Sequence, residues 1–129
     1  MTAVAARGAV ILTLTLLSVC SSGATLAHAA DLDPRWSARD VLAALKHASP
    51  LVRCVVLHEA ADMDPYSVGD NGMSVGVAQI HERGLMGLFT EWSGGAERSD
   101  PYASISFLTW ALDNGYAQHW SVIRNGQCG

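Results

Sequence analysis

The chain has 129 residues, of which 8 are Lys or Arg and 12 are Asp or Glu, so its formal net charge is −4 at pH 7. This length allows one domain with a modest hydrophobic core. The basic residues form no stripe along the chain, which excludes the electrostatic pattern of a nucleic-acid-binding protein, so nucleic acid is not expected as a partner.

Residues 1–30 are predicted to be a secretory signal peptide. Arg7 precedes the uncharged apolar run GAVILTLTLLSVC, and small residues follow up to an A-x-A cleavage site at residues 27–29. Residues 31–129 would then form the mature domain, secreted or held in the cell envelope, with no stable membrane insertion. The alternatives are a lipoprotein signal that ends at Cys20 and an uncleaved membrane anchor.

Two short helices are predicted at the start of this domain. Ser37 is the predicted N-cap of the first helix. Its apolar face consists of Val41, Leu42, Leu45 and Ala48. The second helix is predicted to start at Pro50 and to end near Ala61, because Asp64 precedes Pro65 and the residue before a proline disfavours helical geometry.

A small, glycine-rich β-hairpin is predicted within residues 66–80. Asp70-Asn71-Gly72 is a strong signal for a tight turn, and apolar residues flank it on both sides. The segment that follows, residues 81–92, is predicted to be a short helix or an irregular turn.

A long helix is predicted after Asp100, with Pro101 at its first position and Asn114-Gly115 at its end. One face of this helix holds Ala103, Phe107, Trp110, Ala111 and Asn114. These elements together predict an α+β domain that is mainly helical, with the short β-hairpin inserted after the second helix.

Two of the three cysteines, Cys54 and Cys128, remain after the predicted cleavage. An even number of cysteines in an exported chain predicts one disulfide, which would close a loop of about seventy residues and tie the chain end to the second helix. Two unpaired thiols are the alternative.

The sequence does not predict a metal site or a nucleophilic triad. His58 and Asp62 lie four residues apart, but the second His of the H-E-x-x-H zinc motif is missing. The acidic residues between 62 and 70 begin like a calcium loop, yet Ser67 and Met73 stand where that loop needs Gly and Glu. No Ser lies in a G-x-S-x-G context. We therefore expect neither a metal nor another cofactor.

Glu59 interrupts an otherwise apolar helix face. Val52, Val55, Val56 and Glu59 share this face by their spacing. A carboxyl there, near the helix C-terminus, is disfavoured in its charged form by desolvation and by the negative end of the helix dipole. Both effects raise the pKa, as a general acid working near neutral pH requires. The alternative is that the carboxyl lies at the rim of the face, in solvent.

The segment around Glu59 resembles the core motif of the lysozyme-like lytic transglycosylases. A Glu at a helix end is followed by the proline-containing turn DPYSVGDNG and then by S-x-G-hydrophobic-x-Q-hydrophobic. The latter residues are Ser74, Gly76, Val77, Gln79 and Ile80. The resemblance covers about residues 52–81. The tail, NGYAQHW followed by Cys128, is similar to the end of resuscitation-promoting-factor domains.

The resemblance implies a lysozyme-like cleft that binds peptidoglycan glycan strands. Glu59 would protonate the glycosidic oxygen between N-acetylmuramic acid and N-acetylglucosamine, and would then help the muramic 6-hydroxyl close an anhydro ring. The implied substrate-binding residues are Tyr66, Ser74, Gly76, Gln79, His81 and Trp120. Core packing is the alternative for the two aromatic residues, and a surface position is the alternative for His81.

One position departs from the family pattern, because Ala60 follows Glu59 where the family usually carries Ser. The sequence thus predicts a monomeric lytic transglycosylase or muramidase-type enzyme. The alternatives are a hydrolytic lysozyme, a non-catalytic cell-wall-binding module on the same fold, and a disulfide-stapled secreted interaction protein that is unrelated to glycan.

Overall fold

A computed structural model describes residues 35–129, and the predicted signal peptide lies outside the described residues. The helices are α1 (Ala38–Leu45), α2 (Pro50–Glu59), α3 (Met86–Ser93), α4 (Pro101–Asp113) and α5 (Ser121–Arg124). The strands are β1 (Val68–Gly69), β2 (Ser74–Val75) and β3 (Ile80–His81), and 3-10 turns cover Asp70–Gly72 and Ala117–His119. The predicted fold class, α+β and mainly helical, is confirmed.

The first two helices begin at the predicted residues because polar side chains satisfy the free backbone groups there. Asp40 accepts hydrogen bonds from the Ser37 backbone N–H (2.8 Å) and hydroxyl (2.9 Å) at the start of α1. Ser49 accepts one from the Val52 N–H (3.2 Å) at the start of α2. The prediction for Leu42 is wrong, because its side chain is 59% exposed on the outer face of α1.

The hydrophobic core confirms the apolar face of α2. Val52, Val55 and Val56 are all buried, and they belong to the same core cluster as Phe107 and Leu108 of α4. Helix α4 is buried on more sides than a single face predicts, because α1, α2 and α3 all contact it. The remaining buried residues of α4 are Pro101, Ser104, Ile105 and Ala111. Asn114, predicted on the apolar face, is an exposed residue at the helix end.

The predicted hairpin is present and a third strand extends it. Strands β1 and β2 pair antiparallel, with Val68 opposite Val75, across the predicted turn. Strand β3 pairs antiparallel with β2, with Ser74 opposite His81, so His81 lies in a strand rather than in a helix or turn. The guanidinium of Arg98 donates to the carbonyl oxygens of Met73 (2.8 Å) and Ile80 (2.7 Å), which fastens β3 from outside the sheet.

The chain end is bonded covalently to α2. Cys54 and Cys128 form a disulfide, with a Cα–Cα distance of 5.8 Å, which confirms the predicted pairing. Within residues 35–129, no helix has both the length and the apolar character needed to cross a membrane.

Loss of this disulfide is expected to destabilise the domain. The Cys54→Ser/Cys128→Ser variant should lose about 4 kcal/mol of unfolding free energy, because a crosslink over 74 residues restricts the unfolded chain. Urea denaturation with and without a thiol reductant measures this. The reductant should lower the midpoint of the wild type and leave that of the double variant unchanged; equal midpoints for wild type and variant would contradict the prediction.

Candidate functional site

A cleft of about 550 Å³ has Glu59 in its lining. Three parts of the chain contribute to it: the end of α2 with the sheet, the loop after β3, and the C-terminal segment. The strands and the turns between them contribute Asp70, Ser74, Gln79 and His81, and the loop contributes Arg83 and Gly84. The C-terminal segment contributes Gln118, His119, Trp120, Ser121 and Arg124. The cleft thus brings together five of the seven predicted catalytic and substrate-binding residues.

The environment of Glu59 favours its protonated form. Helix α2 ends at Glu59, and the side chain is half-buried where it lines the cleft. Burial raises the pKa of Glu59 above its ordinary value, the negative charge of Asp70 raises it further, and His58 offsets part of the rise. A carboxyl with a raised pKa keeps its proton to a higher pH than an exposed carboxyl does, which is the direction that a general acid requires.

Asp70 is a second carboxyl in the cleft that was not predicted as a site residue. Its Oδ2 accepts a hydrogen bond of 2.5 Å from the Ser74 hydroxyl, and Ser74 is itself buried. Asp70 and Asn71 both adopt positive φ angles in the 3-10 turn, so the turn directs the carboxylate toward β2. The Ser74 hydroxyl therefore positions Asp70, while Ser74 also lines the cleft as predicted.

Gln79 organises the loops beside the cleft with its side-chain amide. The Nε2 atom donates to the carbonyl oxygens of Gly76 (2.8 Å) and Ser67 (3.2 Å). The Oε1 atom lies against Gly69, where a Cβ would overlap it. Gln79 lines the cleft, but its amide nitrogen already holds two backbone groups together.

Gly76 and Tyr66, both predicted to bind substrate, are not among the residues that line the cleft. A Cβ on Gly76 would overlap the Arg98 carbonyl oxygen, and its φ is +82°. The close approach that requires glycine is therefore made to the chain itself rather than to a substrate. The Tyr66 hydroxyl accepts a hydrogen bond of 3.1 Å from the Trp36 N–H, which fastens the segment before α1.

Trp120 and His81 line the cleft, but each has limited capacity to bind a substrate. Trp120 has little exposed surface, and His81 has one ring nitrogen in a hydrogen bond. Trp120 is 4% exposed, and its indole N–H donates to the Ala78 carbonyl oxygen at 2.7 Å. Most of the Trp120 ring is therefore packed in the core, as the alternative interpretation expected, and little surface is left for a sugar to stack on. His81 accepts at Nδ1 from the Arg83 N–H (3.1 Å), which places the proton of the neutral ring on Nε2.

Ala60, which departs from the family pattern, packs in the core. It is 2% exposed, caps the end of α2 and does not line the cleft. A hydroxyl at this position would enter the hydrophobic core rather than the cleft, so the departure removes no polar group from the cleft lining.

One group of side chains outside the cleft has the spacing of a metal site. Ligand atoms of Cys54, His58 and Cys128 lie within 4.8 Å of one another. The two sulfur atoms are bonded to each other, however, and metal binding requires thiolates. This group is therefore a disulfide with a neighbouring imidazole.

Removal of the Asp70 charge is expected to lower the pKa of Glu59. In Asp70→Asn the Coulombic contribution disappears, whereas the Ser74 hydroxyl can still donate to the amide oxygen. Carboxyl-carbon NMR titration of Glu59 measures the effect. Glu91→Gln removes a carboxyl from α3 that does not line the cleft, and should leave the Glu59 pKa unchanged. An unaltered Glu59 pKa in Asp70→Asn would contradict this account.

The packing at Gly76 predicts a steep cost for any side chain there. Gly76→Ala should lower the free energy of unfolding by about 3 kcal/mol, because backbone strain adds to the overlap with Arg98. Gly72→Ala is the matched control, since Gly72 has a φ of +90° and open space around the Cβ position. It should cost about 1 kcal/mol. Equal costs in urea denaturation would show that the Arg98 contact is unimportant.

Comparison of the chain with protein-family models, curated proteins and solved structures finds no match. The resemblance to lytic transglycosylases accordingly rests on the residues between Val52 and His81 and, more loosely, on the tail that ends at Cys128. The cleft and its carboxyl groups are the features of the described residues that bear on function.

Proposed function

We propose that this protein cleaves peptidoglycan glycan strands between N-acetylmuramic acid and N-acetylglucosamine, with Glu59 as general acid and base. The observation that carries the proposal is the half-buried Glu59 carboxyl, whose pKa is raised inside a cleft of about 550 Å³. Glycoside cleavage requires a carboxylic acid that is still protonated near neutral pH and lies where a sugar can reach it.

The reaction as a lytic transglycosylase needs one carboxyl group. Glu59 donates its proton to the glycosidic oxygen as the bond from that oxygen to the muramic C1 breaks. The carboxylate of Glu59 then accepts the proton of the muramic 6-hydroxyl, whose oxygen bonds to C1 and forms the 1,6-anhydro ring. Glu59 ends the cycle protonated, and no water molecule is consumed.

Hydrolysis is the second candidate, and Asp70 favours it. Retaining and inverting glycosidases use a second carboxylate as a nucleophile or as the base that activates water. Asp70 lines the same cleft and lies close enough to raise the pKa of Glu59. In this mechanism Glu59 protonates the leaving oxygen. Asp70 then either deprotonates the water that attacks C1, or itself bonds to C1 and is displaced by a water molecule that Glu59 deprotonates.

The disulfide is consistent with the proposed place of action. Disulfides persist in oxidising compartments outside the cytosol, and Cys54–Cys128 is formed in this structure. We propose that the mature protein is secreted or held in the cell envelope, where its substrate lies.

Digestion of purified sacculi by the mature protein and by Glu59→Gln tests the proposal. The substitution removes the transferable proton and retains the size of the side chain, so release of soluble fragments should fall at least about 100-fold. Mass spectrometry of the fragments assigns the reaction. Anhydro-muramic ends that appear with the wild type alone indicate transglycosylation, and reducing ends indicate hydrolysis.

Asp70→Asn separates the two candidate mechanisms in the same assay. A loss comparable to that of Glu59→Gln, together with reducing ends, would support hydrolysis with Asp70 as the second carboxylate. Sedimentation with sacculi and no release by wild type would identify a cell-wall-binding module instead of an enzyme. A protein that neither binds sacculi nor releases fragments from them would refute the glycan proposal.

A further inference from the structure

The cleft that contains Glu59 also carries a group of basic residues that general acid catalysis does not use. Arg83, His119 and Arg124, here called the basic side of the cleft, all line it. The chain as a whole is acidic, with a formal net charge of −4. The bulk field of the protein would therefore repel an anion, and any attraction has to arise locally in the cleft.

Two other arginines of the domain hold the fold together, but those of the basic side leave donors available. Arg53 donates to the Lys46 and Ala48 carbonyl oxygens, and Arg98 donates to two carbonyl oxygens beside the sheet. Arg124 donates from Nη1 to the Gln118 carbonyl oxygen, which leaves further N–H groups of its guanidinium. Arg83 bonds to His81 through its backbone N–H and not through its guanidinium.

The two segments that carry the basic side meet at Gly84. A Cβ at Gly84 would lie 3.6 Å from His119 Nδ1 and 3.5 Å from the His81 Cβ, so the loop after β3 and the C-terminal segment are in contact there. Glu82 precedes Arg83 but does not line the cleft, and the carboxyl groups that line it are those of Glu59 and Asp70. The carboxyl groups of the cleft therefore lie earlier in the chain than its basic side, which begins at Arg83.

We propose that the basic side binds carboxylates of peptidoglycan, either those of the stem peptides or the muramic lactyl carboxylates that are free where a stem peptide has been removed, and so selects anionic glycan over neutral glycan. The inference rests on the proposed function, since it names a feature of the substrate at the same cleft. Guanidinium groups match carboxylates with two parallel hydrogen bonds, and a concave site strengthens this attraction. A neutral polymer of N-acetylglucosamine offers these groups no carboxylate.

Binding measurements on the Glu59→Gln protein, which retains the cleft and should not consume its ligand, test the inference. The probes are a neutral N-acetylglucosamine hexamer, glycan strands stripped of peptides by an amidase, and strands that retain their stem peptides. Arg83→Gln/Arg124→Gln in this background should weaken binding of an anionic strand about tenfold and change binding of the hexamer less than about twofold. The loss should shrink as salt is raised.

The pattern of losses identifies the carboxylate. A loss with peptide-free strands assigns the lactyl carboxylate, and a loss confined to peptide-bearing strands assigns the stem peptide. Equal losses for neutral and anionic probes, or no loss for either, would overturn the inference while leaving the proposed function intact. Absence of binding to all three probes, together with no digestion by the wild type, would refute both.

Two further variants show that an effect belongs to the cleft and not to folding. Arg39→Gln removes an exposed arginine of α1 that does not line the cleft, and it should leave all three affinities unchanged. Arg124→Lys retains the charge but loses the planar pair of donors, so it should fall between wild type and Arg124→Gln. Melting temperatures of all variants within a few degrees of one another complete the comparison; an equal effect of Arg39→Gln would overturn the inference.

Discussion

The cleft depends on a covalent link between segments that are far apart in the chain. Part of its lining lies between Glu59 and Gly84, and the rest lies between Gln118 and Arg124. The last segment has little structure of its own, because α5 has only four residues and an isolated helix of that length is unstable. The Cys54–Cys128 disulfide and the hydrogen bond from Trp120 to Ala78 hold this segment against α2 and the sheet.

The same packing makes Glu59 costly to the fold when it is charged. Its pKa is raised in the folded state, chiefly by burial and then by Asp70, so folding favours the protonated carboxyl over the carboxylate. This contribution is fully present at acid pH, below the pKa of the unfolded chain, and is lost as the pH rises through the raised pKa. A neutral residue at this position would avoid that loss, which is a stability cost that the proposed role of Glu59 as general acid would carry.

Local patterns predicted the parts of the structure that local interactions decide. The apolar spacing of α2, the prolines at the start of α2 and α4, and the turn at Asp70–Gly72 were predicted correctly. The disulfide joins distant residues and was predicted instead from the even number of cysteines. Strand β3 was not predicted, because two residues have no periodicity of their own and depend on pairing with β2. Asp70, Arg83, His119 and Arg124 were missed as cleft residues for a related reason, since only tertiary contacts bring them to Glu59.

The positions that carry the family resemblance divide into structural and chemical ones. Gly76 leaves space for the Arg98 backbone, and the Gln79 amide donates hydrogen bonds to the Ser67 and Gly76 carbonyl oxygens. The G-x-x-Q pattern at residues 76–79 is therefore required here to build the loops beside the sheet. Such a motif favours a local architecture whether or not the protein is an enzyme. The support for the proposed catalytic role lies instead in Glu59, whose pKa is raised by desolvation and by the neighbouring Asp70 carboxyl. Ala60 does not disturb these two groups, because it is buried in the core and does not line the cleft.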